Sequence, residues 1–415
     1  MRFYKKYDNG LRLIINKMNG FVSASAGILV KTGSINETEA ENGISHFIEH
    51  VMFKGTSSRS AFEISDHIDR IGAQINAFTS KELTCYYTKS TGEHLANSLE
   101  ILSDIFFNSV FDKDELEKEK GVIIEEINMS EDTPEELCLD ILAKSYYGES
   151  GLGQTILGPA KNIKKFTRED VKAYMDKYYT ADNVVISIAG DVDIDSAEKF
   201  VEEHFAANFT KKKSGAQVKS KPVPVKNLYK VKRIEQTHIG FAMKGFKMDD
   251  EISDAFSIAN TVLGGGMSSR LFQRIREELG LAYSVYSYAS QYKTDGVLEI
   301  YAGVNTANRD LAVEAIVEEV KRFKKEGITE QEFLRGKEQI KSAFIMGRES
   351  TASQMMLYGK YMIFLNSEYD VKERLKKLEK ITHKDVLAAI EQSFDIEKAA
   401  TATVGSKRSA LKINR

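Results

Sequence analysis

With 415 residues, 42% of them hydrophobic and 29% charged, the chain has the make-up of an ordinary folded protein and is too long for one compact core, so two domains or more are expected. A formal charge of −3 gives no footing for nucleic acid, and two cysteines exclude a disulfide framework and fit a reducing compartment. No stretch approaches the roughly 20 apolar residues of a membrane span, so a cytoplasmic protein with neither nucleic-acid nor membrane partners is expected.

The start, MRFYKKYDNGLRLIINK, reads as a strand, a turn at Asn9-Gly10 and a second strand, with nothing of a signal peptide. Residues 24–31 form the next β-type run. A helix then carries the sequence HFIEH, with Asn42 placed to cap it and Gly55 where a left-handed stop belongs. Ile44, Phe47, Ile48, Val51 and Met52 recur at helical spacing and make one apolar face. At about 100° per residue, His46, Glu49 and His50 gather on the opposite face. Two imidazoles one turn apart can reach a single Zn²⁺, and a glutamate beside them is free to act as general base. A solvated polar face that happens to hold two histidines is the plain alternative.

Catalytic zinc typically takes three protein ligands. The helix DKDELEKEKGVIIEEINMSED offers Glu119 and Glu126, seven residues apart and so on one face two turns apart. Both stand beside Val122 and Ile123, where a carboxylate is poorly solvated unless something positive meets it. Glu115, Glu117 and Glu125 read as solvated helix charge.

Further on, residues 210–224 are lysine-rich and hold two of the four prolines, which suits an exposed linker. The sequence on either side looks duplicated. FDKDELEKEKGVIIEEI and ITEQEFLRGKEQIKSAF match at an offset of 217, placing Gly336 opposite Glu119 and Ala343 opposite Glu126. The β-type runs 24–31 and 83–89 have counterparts at 238–244 and 296–304. An α+β fold follows, of two homologous domains (1–212 and 226–415, joined by 213–225), each a sheet covered by helices. The second half has no HxxEH, which suggests one metal per chain.

HFIEH followed by Glu126, within the longer match ENGISHFIEHVMFKGT, resembles the pitrilysin/insulin-degrading enzyme family of inverted-motif zinc peptidases. The similarity is strongest to the processing-peptidase β-subunit branch and its bacterial relatives, and GPAKNIKKFTREDVKAYMDKYYTADNVVISIAGDVD extends it. The resemblance implies that His46, His50 and Glu126 bind zinc, that Glu49 is the catalytic base, and that Glu119 supports a ligating histidine. It implies that Arg276 and Tyr283, in RIREELGLAY, bind substrate backbone and stabilise the tetrahedral intermediate. It makes Asn76, Ala77 and Phe78 part of an edge strand along which peptide substrates lie. GGGMSSRLF resembles a shortened substrate-guiding loop, and a helix-terminating turn explains it equally well. Insulin-degrading enzymes carry four such domains, so a two-domain chain is expected to act as a homodimer with active sites completed in trans. A non-catalytic fold homologue serving as a binding subunit and a metal-dependent hydrolase of other substrates are the competing readings.

Overall fold

The computed structural model describes residues 1–149, 151–209, 222, 223, 226–407 and 411. β1 (Arg2–Lys6) and β2 (Arg12–Lys17) form the expected hairpin, which turns at Gly10 with a φ of 100° that favours glycine. With β3 (Ser23–Val30), β4 (Gln74–Thr79), β5 (Thr84–Thr91) and β6 (Val184–Gly190) they make a six-stranded sheet in the order β1-β2-β6-β3-β5-β4. A second sheet holds β7 (Asn227–Val231), β8 (Gln236–Lys244), β9 (Ala282–Gln291), β10 (Gly296–Asn305) and β11 (Ala400–Gly405), in the order β7-β11-β8-β10-β9.

The two sheets repeat one topology. β2 pairs parallel with β6 as β7 does with β11, and the next three pairings of each sheet are antiparallel. The class is α+β, and the duplication visible in the sequence is a duplication of strand order.

Helices α1 (Ile44–Val51), α2 (Ala61–Arg70), α3 (Leu95–Asn108), α4 (Lys113–Asp132) and α5 (Pro134–Tyr147) follow in the first half. Alternation along β3 sends Ala24, Ala26, Ile28 and Val30 into one hydrophobic core with Phe47, Ile48 and Val51 of α1 and Leu99 and Leu102 of α3. The side chains between them face the other way, toward the helix Thr351–Leu365. Ser25 Oγ meets Thr351 Oγ1 at 2.9 Å, Ser187 Oγ donates to the Met355 carbonyl at 2.7 Å, and Asn16 Nδ2 donates to Gln354 Oε1 at 3.0 Å.

The compact units are not continuous stretches such as 1–212 and 226–415 but are assembled from exchanged pieces. One unit comprises Met1–Ile127, Thr155–Val218 and Ile345–Tyr369; the other comprises Asn128–Gln154, Lys219–Phe344 and Asp370–Arg415. The pieces exchanged are equivalent: at the 217-residue offset of the repeat, α5 corresponds to Thr351–Leu365. In the second unit α5 lies on β8 and β11, where Cys138 Sγ reaches the Ala402 carbonyl and Leu142 fills the space over Gly240. The linker expected at 213–225 lies outside the described residues, apart from Pro222 and Val223.

Close packing of Thr351–Leu365 on the first sheet depends on small residues. A Cβ at Gly359 would lie 2.7 Å from Leu29 Cδ2 and 3.1 Å from Ser187 Cβ. Overpacking of this kind typically costs about 1–3 kcal/mol. Gly359→Val is therefore expected to destabilise the protein by an amount in that range, read in urea as a lower midpoint with the slope of the transition unchanged.

Candidate metal centre

Every polar residue of this site belongs to the first unit. α1 places its apolar side chains as its spacing implied: Ile44, Phe47, Ile48, Val51 and Met52 are all buried. Capping differs from expectation. The N-cap is Gly43, at φ 101°, while the Asn42 side chain donates to Glu37 Oε2 and to the Thr155 carbonyl. A side chain at residue 43 would run into the Leu157 carbonyl at 2.7 Å, so the backbone turns there on glycine and Asn42 is left to brace the loop before it.

On the polar face of α1 the imidazoles of His46 and His50 lie with ring centroids 4.6 Å apart. α4 brings Glu126 across to both. Its Oε2 is 3.6 Å from His46 Nε2 and 3.5 Å from His50 Nε2, and the three ligand atoms lie within 4.8 Å of one another. Among the described residues this is the only group of three or more His, Cys, Asp or Glu so arranged.

The separations discriminate between explanations. They are too long for N–H···O hydrogen bonds, which run at about 2.7–3.2 Å. They match the edge of a tetrahedron whose ligand bonds are about 2.0–2.2 Å, roughly 3.3–3.6 Å. His46 Nδ1 is buried with no hydrogen-bond partner. Burial, with a smaller push from His50, lowers the His46 pKa to about 3, so the ring is neutral at pH 7 and its lone pair is available. Two imidazoles and a carboxylate are a zinc donor set. The residues fit the ion.

Glu49 sits beside this cluster and accepts a 2.5 Å hydrogen bond from Thr79 Oγ1, at the end of β4. Burial raises its pKa; the Thr79 bond opposes that, and the Glu126 charge adds to it. Glu119 is 3% exposed and pairs with Lys54 Nζ at 2.6 Å, while its Oε2 stands 3.8 Å from His50 Nδ1 with no hydrogen-bond partner. The expectation that both carboxylates of α4 are poorly solvated holds for Glu119 alone. The Glu126 side chain is 43% exposed and neighbouring Val122 is exposed, because the helix turns that side away from the core while Ile123 is buried.

Asn76, Ala77 and Phe78 lie on β4, an edge strand of the first sheet. The Asn76 side chain accepts the Ala77 N–H at 2.8 Å, and the rings of Phe78 and Tyr87 are 6.4 Å apart. Arg276 and Tyr283 belong to the second unit and form a pair there. The Arg276 guanidinium lies 5.1 Å from the Tyr283 ring centroid and 4.7 Å from that of Phe272, and Tyr283 is 77% exposed. The GGGMSS segment is a turn ending the helix Ser253–Gly264, and Gly264 packs so closely on β9 that a Cβ would lie 2.3 Å from the Ser287 nitrogen. In the second unit the position matching Glu119 is Gly336, packed against Ile258 and Val262, so apolar contact occupies the place of a carboxylate.

Sequence reasoning missed Lys54, Thr79, Glu37 and Phe272. Lys54 alone carried a signal, since it follows His50 by one helical turn; the others reach their partners through tertiary contact.

Comparison with known proteins agrees with this geometry. Residues 13–160 match the family model described as insulinase (peptidase family M16), and residues 165–340 match the peptidase M16 inactive domain. An uncharacterized zinc protease of Bacillus subtilis is 42% identical over 392 residues, covering 94% of this chain and 95% of that protein. An uncharacterized zinc protease of Streptomyces coelicolor is 33% identical, covering 91% and 84%. Two solved structures share the fold: a peptidase M16 inactive domain from Pseudomonas fluorescens (TM-score 0.90, 20% identity, 100% of both chains) and a protease from Helicobacter pylori (TM-score 0.89, 22% identity, 98% of this chain and 99% of that one).

The Lys54–Glu119 pair makes its own prediction. Removing one partner of a buried ion pair leaves the other desolvated, and with Lys54 one-third exposed the cost is about 1–3 kcal/mol. Lys54→Met should destabilise the zinc-free protein by that amount in urea. Adding Glu119→Gln to the same chain should recover most of the loss, a coupling that a double-mutant cycle measures.

Proposed function

The chain belongs to the insulinase family of M16 peptidases, and from that premise we propose that it is a zinc-dependent endopeptidase of the inverted HxxEH type. The observation that carries this reading is the convergence of His46, His50 and Glu126 with Glu49 beside them. In this reading the three residues hold one zinc ion per chain. Glu119 orients His50 from behind, as a carboxylate next to a ligating histidine commonly does.

When bound, zinc supplies Lewis-acid polarisation of a carbonyl and lowers the pKa of water. The remaining steps belong to side chains. The Glu49 carboxylate takes a proton from the attacking water and returns it to the leaving amine. Thr79 holds that carboxylate in place from the end of β4, so the strand along which a peptide would lie also fixes the base. An extended peptide pairing with the edge at Asn76, Ala77 and Phe78 would be held through its main chain, which favours unfolded peptides or presequence-like segments over folded proteins.

Arg276 and Tyr283 complete the proposal. The guanidinium stacked beside an exposed phenol offers two donors for a substrate carbonyl, an oxyanion-type role. We place this pair in the active site of a second copy of the chain, so that a homodimer encloses the substrate and each site is finished in trans.

Two measurements test the proposal. Glu49→Gln should retain stoichiometric zinc and lose about 10²–10⁴-fold in kcat on a quenched peptide; normal turnover would remove Glu49 from the mechanism and favour the reading as a non-catalytic binding subunit. His50→Ala and Tyr283→Phe chains, each inactive alone, should regain partial activity when mixed, and a mixture as inactive as its components would refute completion in trans.

A further inference from the structure

Glu37 is a buried carboxylate that neither the proposed ligand set nor the proton transfer uses. It is 4% exposed. Its Oε2 accepts the Gly43 N–H at 2.8 Å and Asn42 Nδ2 at 2.9 Å, and its Oε1 accepts the Ser45 N–H at 2.9 Å. Gly43 and Ser45 are the start of α1, so two of the N–H groups that a helix leaves without intrahelical partners end on one carboxylate. These donors point hydrogens at it and pull its pKa down, while burial, the larger influence, raises it; what the carboxylate supplies in either state is a pair of acceptor oxygens for the open end of the helix.

The cap is tied to the rest of the unit. Ser45 Oγ meets Tyr174 OH at 2.9 Å, and the same phenol meets Thr32 Oγ1, just past β3, at 2.9 Å. Asn42, besides donating to Glu37, donates to the Thr155 carbonyl at 2.8 Å, and its own carbonyl accepts Asn162 Nδ2 at 3.1 Å. The next residue after Ser45 is His46. A helix advances 1.5 Å and about 100° per residue, whereas a metal site tolerates ligand displacements of about 0.2 Å. Fixing the first turn of an eight-residue helix therefore fixes where His46, Glu49 and His50 point.

We propose that Glu37 is a positioning residue for the metal helix, setting the axial placement and rotation of α1 and through them the ligand geometry. The proposal rests on the zinc reading of the site. Two properties separate it from a contribution to stability alone: zinc affinity, and the ligand-field spectrum of the cobalt(II)-substituted protein.

The test uses the full chain with Glu37→Gln, which keeps the shape and turns one acceptor into a donor facing N–H groups. Zinc affinity by chelator competition should fall 10–100-fold, the size typical of lost support behind a ligand. The cobalt(II) visible bands should shift or weaken, and kcat should drop at least tenfold with KM within threefold of wild type. A folded Glu37→Gln protein with wild-type zinc affinity and an unchanged cobalt spectrum overturns the proposal, whatever its melting temperature. Should that variant not fold, Asn42→Ala, which removes one of the donors, decides: a three- to tenfold loss of zinc affinity is expected, and wild-type affinity overturns the proposal. Zinc affinity is read without peptide, so a wild-type chain that binds zinc and cleaves nothing overturns the peptidase reading alone.

Discussion

Much of the proposed chemistry depends on the placement of one short helix. α1 spans eight residues, about two turns, and an isolated helix of that length is not stable in water. Its position has to come from outside. Burial of Phe47, Ile48 and Val51 against the sheet and α3 supplies the attraction, but hydrophobic contact is non-directional and leaves rotation loosely set. Directional bonds do the rest: Glu37 at the first turn, Thr79 on Glu49 in the middle, and Lys54 on Glu119 just past the last turn.

The same arrangement sets the electrostatics. His46 is buried enough to stay neutral, so it presents a lone pair where an exposed histidine would carry a proton in mild acid. Around it stand Glu49, Glu119 and Glu126, with Lys54 committed to Glu119. Carboxylates gathered around two imidazoles are a setting that a cation would favour. Burial raises Glu49, the Thr79 hydrogen bond restrains it, and the Glu126 charge adds to the rise, which is the balance the proposed general base draws on.

Among the described residues only the first copy of the duplicated fold is equipped in this way. The two sheets share strand order and pairing sense, so the repeated sequence folds one way twice. In the second copy the equivalent of Glu119 is Gly336, packed on Ile258 and Val262, and that helix pairing is apolar. The second copy instead carries an exposed Tyr283 with Arg276 against its ring. The exchange of α5 for Thr351–Leu365 adds a constraint of its own: neither compact unit is made from one continuous half of the chain, so each sheet needs residues from both halves for its second face.

What the sequence determined by itself is whatever follows from short-range backbone geometry. A helix fixes the angle between residues three and four apart, so His46, Glu49 and His50 were bound to share a face and Ile44, Phe47, Ile48, Val51 and Met52 to share the other. The repeat offset and the β-type runs likewise fixed the duplicated α+β organisation. Glu119 and Glu126 were distinguishable as candidates, but their separate environments, one buried against Lys54 and one half-exposed between two imidazoles, were decided by how α4 crosses α1. Thr79, Glu37 and the exchanged helices were decided by tertiary structure too. Their partners lie 30, 5–8 and about 100–340 residues away, at separations where no local periodicity relates one side chain to another and only the packed fold brings them together.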